Sequence, residues 1–235
     1  MTKKNAAKPT VKMPKAKVRR ITMILDRSGS MGSVIEPTVA GVNKFIEDQK
    51  AIGGDCEFRL VQFDDQYEPD VACSIASQKL LVAGESYMPR GMTALLDAIG
   101  KTLRTMKAEP VKKGVLTIVV IQTDGLENAS REFGRTAVAD LIDECRKLGW
   151  EFVFLGAGLD AMASAAALHI PTANTMTYSK TAAGTDAAYR SLSASAGGMS
   201  MGRSSTMAFG DADYDTQDAL LPDALKNKKD KKEKK

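Results

Sequence analysis

Three short stretches of this 235-residue chain carry side chains suited to hard-oxygen chemistry. Asp26-Arg27-Ser28-Gly29-Ser30 supplies a carboxylate and two hydroxyls, Pro89-Arg90-Gly91-Met92-Thr93 a third hydroxyl, and Thr123-Asp124-Gly125 a second carboxylate. Such donors suit Mg²⁺ or Mn²⁺, which take octahedral oxygen shells and retain several waters. Alternate residues of a chain leaving a strand point the same way, so Asp26, Ser28 and Ser30 are expected to converge on one ion, with Gly29 permitting the turn. One His excludes a multi-histidine metal site. Three Cys without a C-x-x-C pair exclude a zinc ribbon and a disulfide framework, and point to a reducing compartment.

These stretches need a scaffold that brings them to one edge, and the apolar pattern supplies it. Ile21–Leu25 reads as a buried strand, followed by helical spacing from Val34 to Ile52 that Gly53-Gly54 terminates. Glu57–Phe63 alternates as a strand, with Tyr67–Cys73 as its hairpin partner. Leu95, Leu96, Ile99, Leu103 and Met106 form a helical stripe. The nearly unbroken run Val115–Ile121 suits a central parallel strand covered on both faces. Val138–Leu148 reads as a helix, Phe152–Leu155 as a strand, 159–168 as an Ala-rich helix and Thr175–Tyr178 as a short closing strand. The alternation predicts an α/β fold: an open, mostly parallel, doubly wound sheet with helices on both faces and one antiparallel edge strand. All three polar stretches then fall at strand C-terminal ends or the loops beside them, where such sheets bind ligands.

Asp26-x-Ser28-x-Ser30, Thr93 in a Gly-x-Thr loop and Asp124 in Thr-Asp-Gly together resemble the metal-ion-dependent adhesion site of von Willebrand factor A domains. Leu25–Met31 and Pro89–Gly100 are similar to the bacterial and phage branch of that family. The resemblance spans roughly residues 18–180 and implies a Rossmann-like fold. It also implies that Ser28, Ser30 and Thr93 ligate the ion directly or nearly so, while Asp26 and Asp124 mostly hold its waters. A cation held largely by neutral hydroxyls keeps much of its electrophilicity and seeks one more anionic oxygen, commonly a carboxylate from a partner protein. The implied function is a non-enzymatic, Mg²⁺- or Mn²⁺-dependent adaptor in a bacterial or phage-infected cell. The alternatives are a substrate-docking subunit of a chelatase- or MoxR-type ATPase machine and, third, a metal-dependent phosphatase. The chain has no P-loop, so ATP chemistry would come from a partner.

Other motifs weigh less. Gly156-Ala157-Gly158-Leu159-Asp160-Ala161 fits G-x-G-x-x-A but sits on a late strand and has no acid at the required distance, so a tight turn is expected. Asp211-Ala212-Asp213-Tyr214-Asp215 begins like a calcium loop, but Thr216 and Pro222 stand where Gly and Glu are needed. His169 has no G-x-S-x-G partner and reads as a helix-end or core residue. Asp26 lacks the second Asp, two residues on, of a phosphoacceptor site. Cys56 and Cys145 read as inert core thiols.

The net charge of +4 divides into +8 over residues 1–20, +5 over 226–235 and −9 between them. An acidic domain at 18–195 is therefore expected between a basic tail at 1–17, a flexible Ser/Gly/Met-rich linker at 196–225 and a Lys-rich tail at 226–235. The tails suit solvated ends with weak nucleic-acid contact at most, since neither interleaves aromatics with its charges. No secretory h-region or membrane-length apolar run occurs, which points to the cytoplasm. The partner expected is a protein with an acidic residue, without membrane or small-molecule substrate.

Overall fold

Apolar side chains alternate between two faces along the central strands, and that alternation organises the fold. In this computed structural model, which describes residues 18–110, 114–158 and 161–220, the strands are β1 Val18–Asp26, β2 Asp55–Phe63, β3 Tyr67–Pro69, β4 Cys73–Ser74, β5 Val115–Thr123, β6 Glu151–Ala157 and β7 Thr175–Tyr178. They form one sheet in the order β3-β2-β1-β5-β6-β7, with β4 also paired to β2. The pairs from β2 through β7 along this path are parallel, whereas β3 and β4 run antiparallel to β2. The expected edge hairpin thus exists as two short pieces, interrupted at residues 70–72.

Helices cover both faces. α1 Ile35–Ile52, α5 Ala182–Ser200 and α6 Asp211–Leu220 lie on one side, with α2 Leu95–Ala108, α3 Arg135–Lys147 and α4 Ala161–Ala166 on the other. Ile21, Met23 and Leu25 of β1 pack with Phe45 of α1 and Leu192 of α5. Ile24 faces the opposite way, into a second cluster with Ile99 of α2 and Ile142 of α3. Both clusters are needed because a parallel sheet of this kind is buried on both faces. Gly41 lets α1 and α5 meet, since a Cβ there would stand 2.1 Å from the Tyr189 ring.

Residues 196–220 correct the expected linker. α5 continues to Ser200, and the segment after it inserts Met207 (fully buried) and Phe209 into the first core cluster. α6 follows, with Gln217 buried between Ser179 and Gly184. The Ser/Gly/Met composition hides this because small residues in α5 allow close packing rather than flexibility. α6 also carries Asp211–Asp215 in helical form, so no calcium loop is present there. The two basic tails lie outside the described residues.

β1 sends its chain to β2 on one side, while β5 lies on the other. The strand order therefore reverses between β1 and β5, which opens a crevice at their C-terminal ends. Register places Leu25 beside Gln122, and Thr123 beside Gly156. The three polar stretches meet at this edge.

If residues 196–220 belong to the core, Phe209→Ala should cost about 3 kcal/mol, the usual range for deleting a buried aromatic. The urea midpoint would fall accordingly. A midpoint equal to wild type would mean that the segment contributes no packing.

Candidate metal centre

Asp26 ends β1 fully buried, and both of its oxygens have protein partners. Oδ1 accepts the Ser28 N–H at 2.6 Å and Oδ2 accepts the Thr123 hydroxyl at 2.6 Å. Tyr87 donates its hydroxyl to the Asp26 backbone carbonyl at 2.7 Å, which fixes the strand end from below. After Asp26 the chain tightens into a 3₁₀ helix, Gly29–Val34, with Ser28 as its N-cap. That curl turns both hydroxyls inward, so Ser28 Oγ and Ser30 Oγ stand 3.0 Å apart. Gly29 has no left-handed backbone angle, so the turn does not depend on glycine there.

Gly91 is the glycine the site requires. Its φ is +65°, and a Cβ would stand 2.3 Å from Asp65 Oδ1. The loop around it is bound to the first loop by Gly29 N–H to Gly91 O at 3.2 Å and Arg90 N–H to Arg27 O at 2.8 Å. Buried Asp64 joins both loops, accepting from Arg27 Nε at 3.1 Å and Arg90 Nε at 2.8 Å. Glu68 pairs with the same two guanidiniums, so two cations and two anions balance.

Thr93 is held from the other side. Its N–H donates to Asn128 Oδ1 at 2.9 Å, while its carbonyl accepts from the N–H groups of Asn128 and Ala129. Glu127 accepts the Leu96 N–H at 2.8 Å and so caps the start of α2. Asp97 gathers the N–H groups of residues 131–133. Burial pushes its carboxyl up, but these donors outweigh that and hold it below the usual carboxylate range. The loop after β5 is thereby strapped onto α2.

Asp124 follows β5 with its side chain buried. Its Oδ1 accepts the Ser30 hydroxyl at 2.5 Å, and Lys180 Nζ lies 2.8 Å from its Oδ2. A Cβ on Gly125 would sit 3.1 Å from Thr93 Oγ1 and 3.2 Å from Ser30 Oγ, so these two hydroxyls face the same small space. All five expected residues, Asp26, Ser28, Ser30, Thr93 and Asp124, therefore meet at one edge. The donor set of two carboxylates and three hydroxyls fits a hard divalent cation. Among the described residues no group of three or more His, Cys, Asp or Glu gathers as a metal site, which leaves this mixed hydroxyl–carboxylate set as the candidate.

Charge at the site favours a cation. Burial raises the Asp26 carboxyl from 3.8 to about 6, opposed by the Thr123 and Ser28 hydrogen bonds and reinforced by nearby Asp124. With the Arg27–Asp64–Arg90–Glu68 set balanced, Asp26 and Asp124 face one ammonium and retain a formal negative charge.

Sequence reasoning missed the supporting residues Thr123, Asn128, Glu127, Asp64 and Lys180. Thr123, Asp64 and Lys180 had a visible signal, since they stand at or within two residues of strand ends on the same edge. The remaining candidates take structural places. Gly156 admits α4 closely, a Cβ there standing 2.3 Å from Ala161 Cβ, although Leu159 and Asp160 of that motif lie outside the described residues. His169 is not a core residue: it has a left-handed φ of 58° at a helix end, and its exposed imidazole faces Asp143 at 2.7 Å. Burial pushes the Cys56 and Cys145 thiols up to about 11, which suits inert core thiols.

Residues 21–199 match the family model of the von Willebrand factor type A domain, and the chain belongs to that family. No curated protein matches it significantly. Among solved structures, the pilus adhesin SpaC from Lactobacillus rhamnosus GG superposes with a TM-score of 0.60 at 13% identity, covering 78% of this chain and 30% of that one. The von Willebrand factor domain of the type V pilus tip protein Mfa5 from Porphyromonas gingivalis gives 0.53 at 12%, covering 77% and 96%. Proximal thread matrix protein 1 from the mussel byssus, with zinc in its metal-ion-dependent adhesion site, gives 0.52 at 18%, covering 77% and 46%. These likenesses show the fold, and the chain spans under a third of the adhesin's length.

The raised Asp26 carboxyl fixes a pH dependence in metal-free buffer. The folded state keeps a proton that the unfolded state releases between about pH 4 and 6. The Asp26 contribution to stability is thus fully present below the unfolded value and is lost as pH rises through about 6, by about 3 kcal/mol for a two-unit shift. Urea titrations in EDTA should show this limb in wild type and not in Asp26→Asn. Parallel pH profiles for the two proteins would contradict the assignment.

Proposed function

We propose that this chain is a divalent-metal-dependent protein-binding module. Ser28, Ser30 and Thr93 would offer neutral oxygens to Mg²⁺ or Mn²⁺, and Asp26 and Asp124 would supply the negative charge. The observation that carries the reading is the convergence of the Ser30 and Thr93 hydroxyls on the space beside Gly125, with Asp124 hydrogen-bonded to Ser30. When bound, the ion supplies Lewis acidity toward an anionic oxygen, and a carboxylate presented by another protein has the matching chemistry.

The chain's own residues do the positioning. Asp26 spends one lone pair of each oxygen on Ser28 and Thr123, which holds the first loop's hydroxyl in place. The Asp64 ion pairs keep the Thr93 loop against the first loop, and Asn128 ties Thr93 to the loop after β5. Loops held this firmly present their oxygens in a fixed arrangement, which suits docking of a partner's anionic group. The family membership and the fold shared with pilus adhesins support a binding role. Among the described residues no helix is long and apolar enough to cross a membrane.

Mn²⁺ at a hundredfold excess over its dissociation constant should raise the melting temperature by roughly 5–10 °C. Asp124→Ala and Thr93→Ala should abolish most of that rise, whereas Thr136→Ala on the exposed start of α3 should keep it. Thr93→Ala is the informative variant because it removes a ligand without changing the charge. EDTA should also release a protein partner that Mg²⁺ restores. A full Mn²⁺ shift in both site variants would place the metal elsewhere and remove this reading.

A further inference from the structure

Lys180 belongs to none of the stretches that form the site, yet its ammonium lies 2.8 Å from Asp124 Oδ2. That carboxylate is buried, its other oxygen is engaged by Ser30, and Oδ2 receives no hydrogen bond. We propose that Lys180 is a built-in competitor for the metal site. Its ammonium neutralises Asp124 in the metal-free protein and must withdraw before Oδ2 can serve a divalent cation. The inference rests on the metal-dependent reading above and specifies how the chain sets its own metal affinity.

The backbone carrying Lys180 is fixed, whereas the side chain has room. Ser179 N–H donates to Gln217 of α6 at 3.3 Å, and Thr181 N–H donates to Ser179 O at 2.7 Å. Thr181 Oγ1 accepts the Gly184 N–H at 3.0 Å and caps α5, while Gln217 Nε2 donates to Gly184 O at 2.9 Å. Gly184 is required by this packing, because a Cβ would stand 2.4 Å from Ser179 O. A cleft of about 260 Å³ opens beside the ion pair, lined by Asp124, Leu126, Gly158, Ser164 and Lys180. With its side chain 40% exposed, Lys180 can swing its stem into this cleft by rotamer change alone. Two cations at one buried carboxylate repel strongly, so occupancy by one disfavours the other. The position is also oriented by α6, so that helix contributes to the geometry of the site.

The test is Mn²⁺ titration of the full chain, with free Mn²⁺ followed by its paramagnetic resonance signal. Lys180→Gln removes the charge and Lys180→Arg keeps it, while Asp124→Ala reports on the site itself. Lys180→Gln should bind Mn²⁺ roughly three- to tenfold more tightly than wild type. Lys180→Arg should bind as wild type does. Measurable binding by Lys180→Gln where wild type shows none would support the proposal more strongly still. Equal or weaker binding by Lys180→Gln, or tightening by Lys180→Arg as well, overturns the competitor role even when Asp124→Ala shows that the metal site is real. Absence of binding in both wild type and Lys180→Gln, or wild-type affinity in Asp124→Ala, overturns the metal reading and this inference together.

Discussion

Two carboxylates buried at one sheet edge set the terms for everything around them. Asp26 ends β1 and Asp124 follows the adjacent parallel strand β5, and taking both out of water is costly unless charge or hydrogen bonds compensate. The protein spends its compensation unevenly. Asp26 receives a hydroxyl and a backbone N–H, which are neutral donors, and its carboxyl stays raised. Asp124 receives a hydroxyl and an ammonium. Apart from the local Ser28 N–H bond, each of these contacts also ties one segment to another, so neutralising the edge largely orders the loops as well.

The neighbouring charges explain why this negative potential persists. Arg27 and Arg90 stand within the two site loops and would otherwise cancel it. Asp64 and Glu68 take up both guanidiniums, with Asp64 fully buried between them. The arginines therefore act as clamps holding loop to loop and leave the site's charge to Asp26, Asp124 and Lys180. Removing Arg27, the buried partner of Asp64, would leave an uncompensated buried charge between the two loops.

Most of the fold was legible in the sequence because its elements are periodic. The Val115–Ile121 run, the stripe beginning at Leu95 and the Gly53-Gly54 stop each translate directly into burial or a left-handed turn. That five oxygen-bearing residues gather at one edge was legible too, since strand ends place Asp26, Ser28, Ser30 and Asp124 and the loop before α2 carries Thr93. What stayed hidden depends on tertiary contact. Asn128 has no signal, because its role lies in an amide reaching back to Thr93 from a different loop. Residues 196–209 were misread because Gly and Ser signal flexibility locally, whereas here small residues let α5 sit against α1 and the next segment. Met207 and Phe209 were the counter-signal, two large apolar groups in a stretch read as linker.

The same logic explains why the edge is rimmed by apolar groups. Leu126 is 61% exposed and Met92 51% exposed, and each adjoins a loop residue of the site, Gly125 and Thr93 respectively. Large exposed side chains contribute little to the stability of a monomer, and here they flank a buried carboxylate rather than a flat polar surface. Leu126 and Lys180 line one cleft, so a group approaching Asp124 through it meets an apolar wall and an ammonium together. Covering that wall removes water from around the ion pair and lowers the local dielectric, which strengthens each charge contact inside. The weakly solvated rim and the strongly charged centre are therefore coupled.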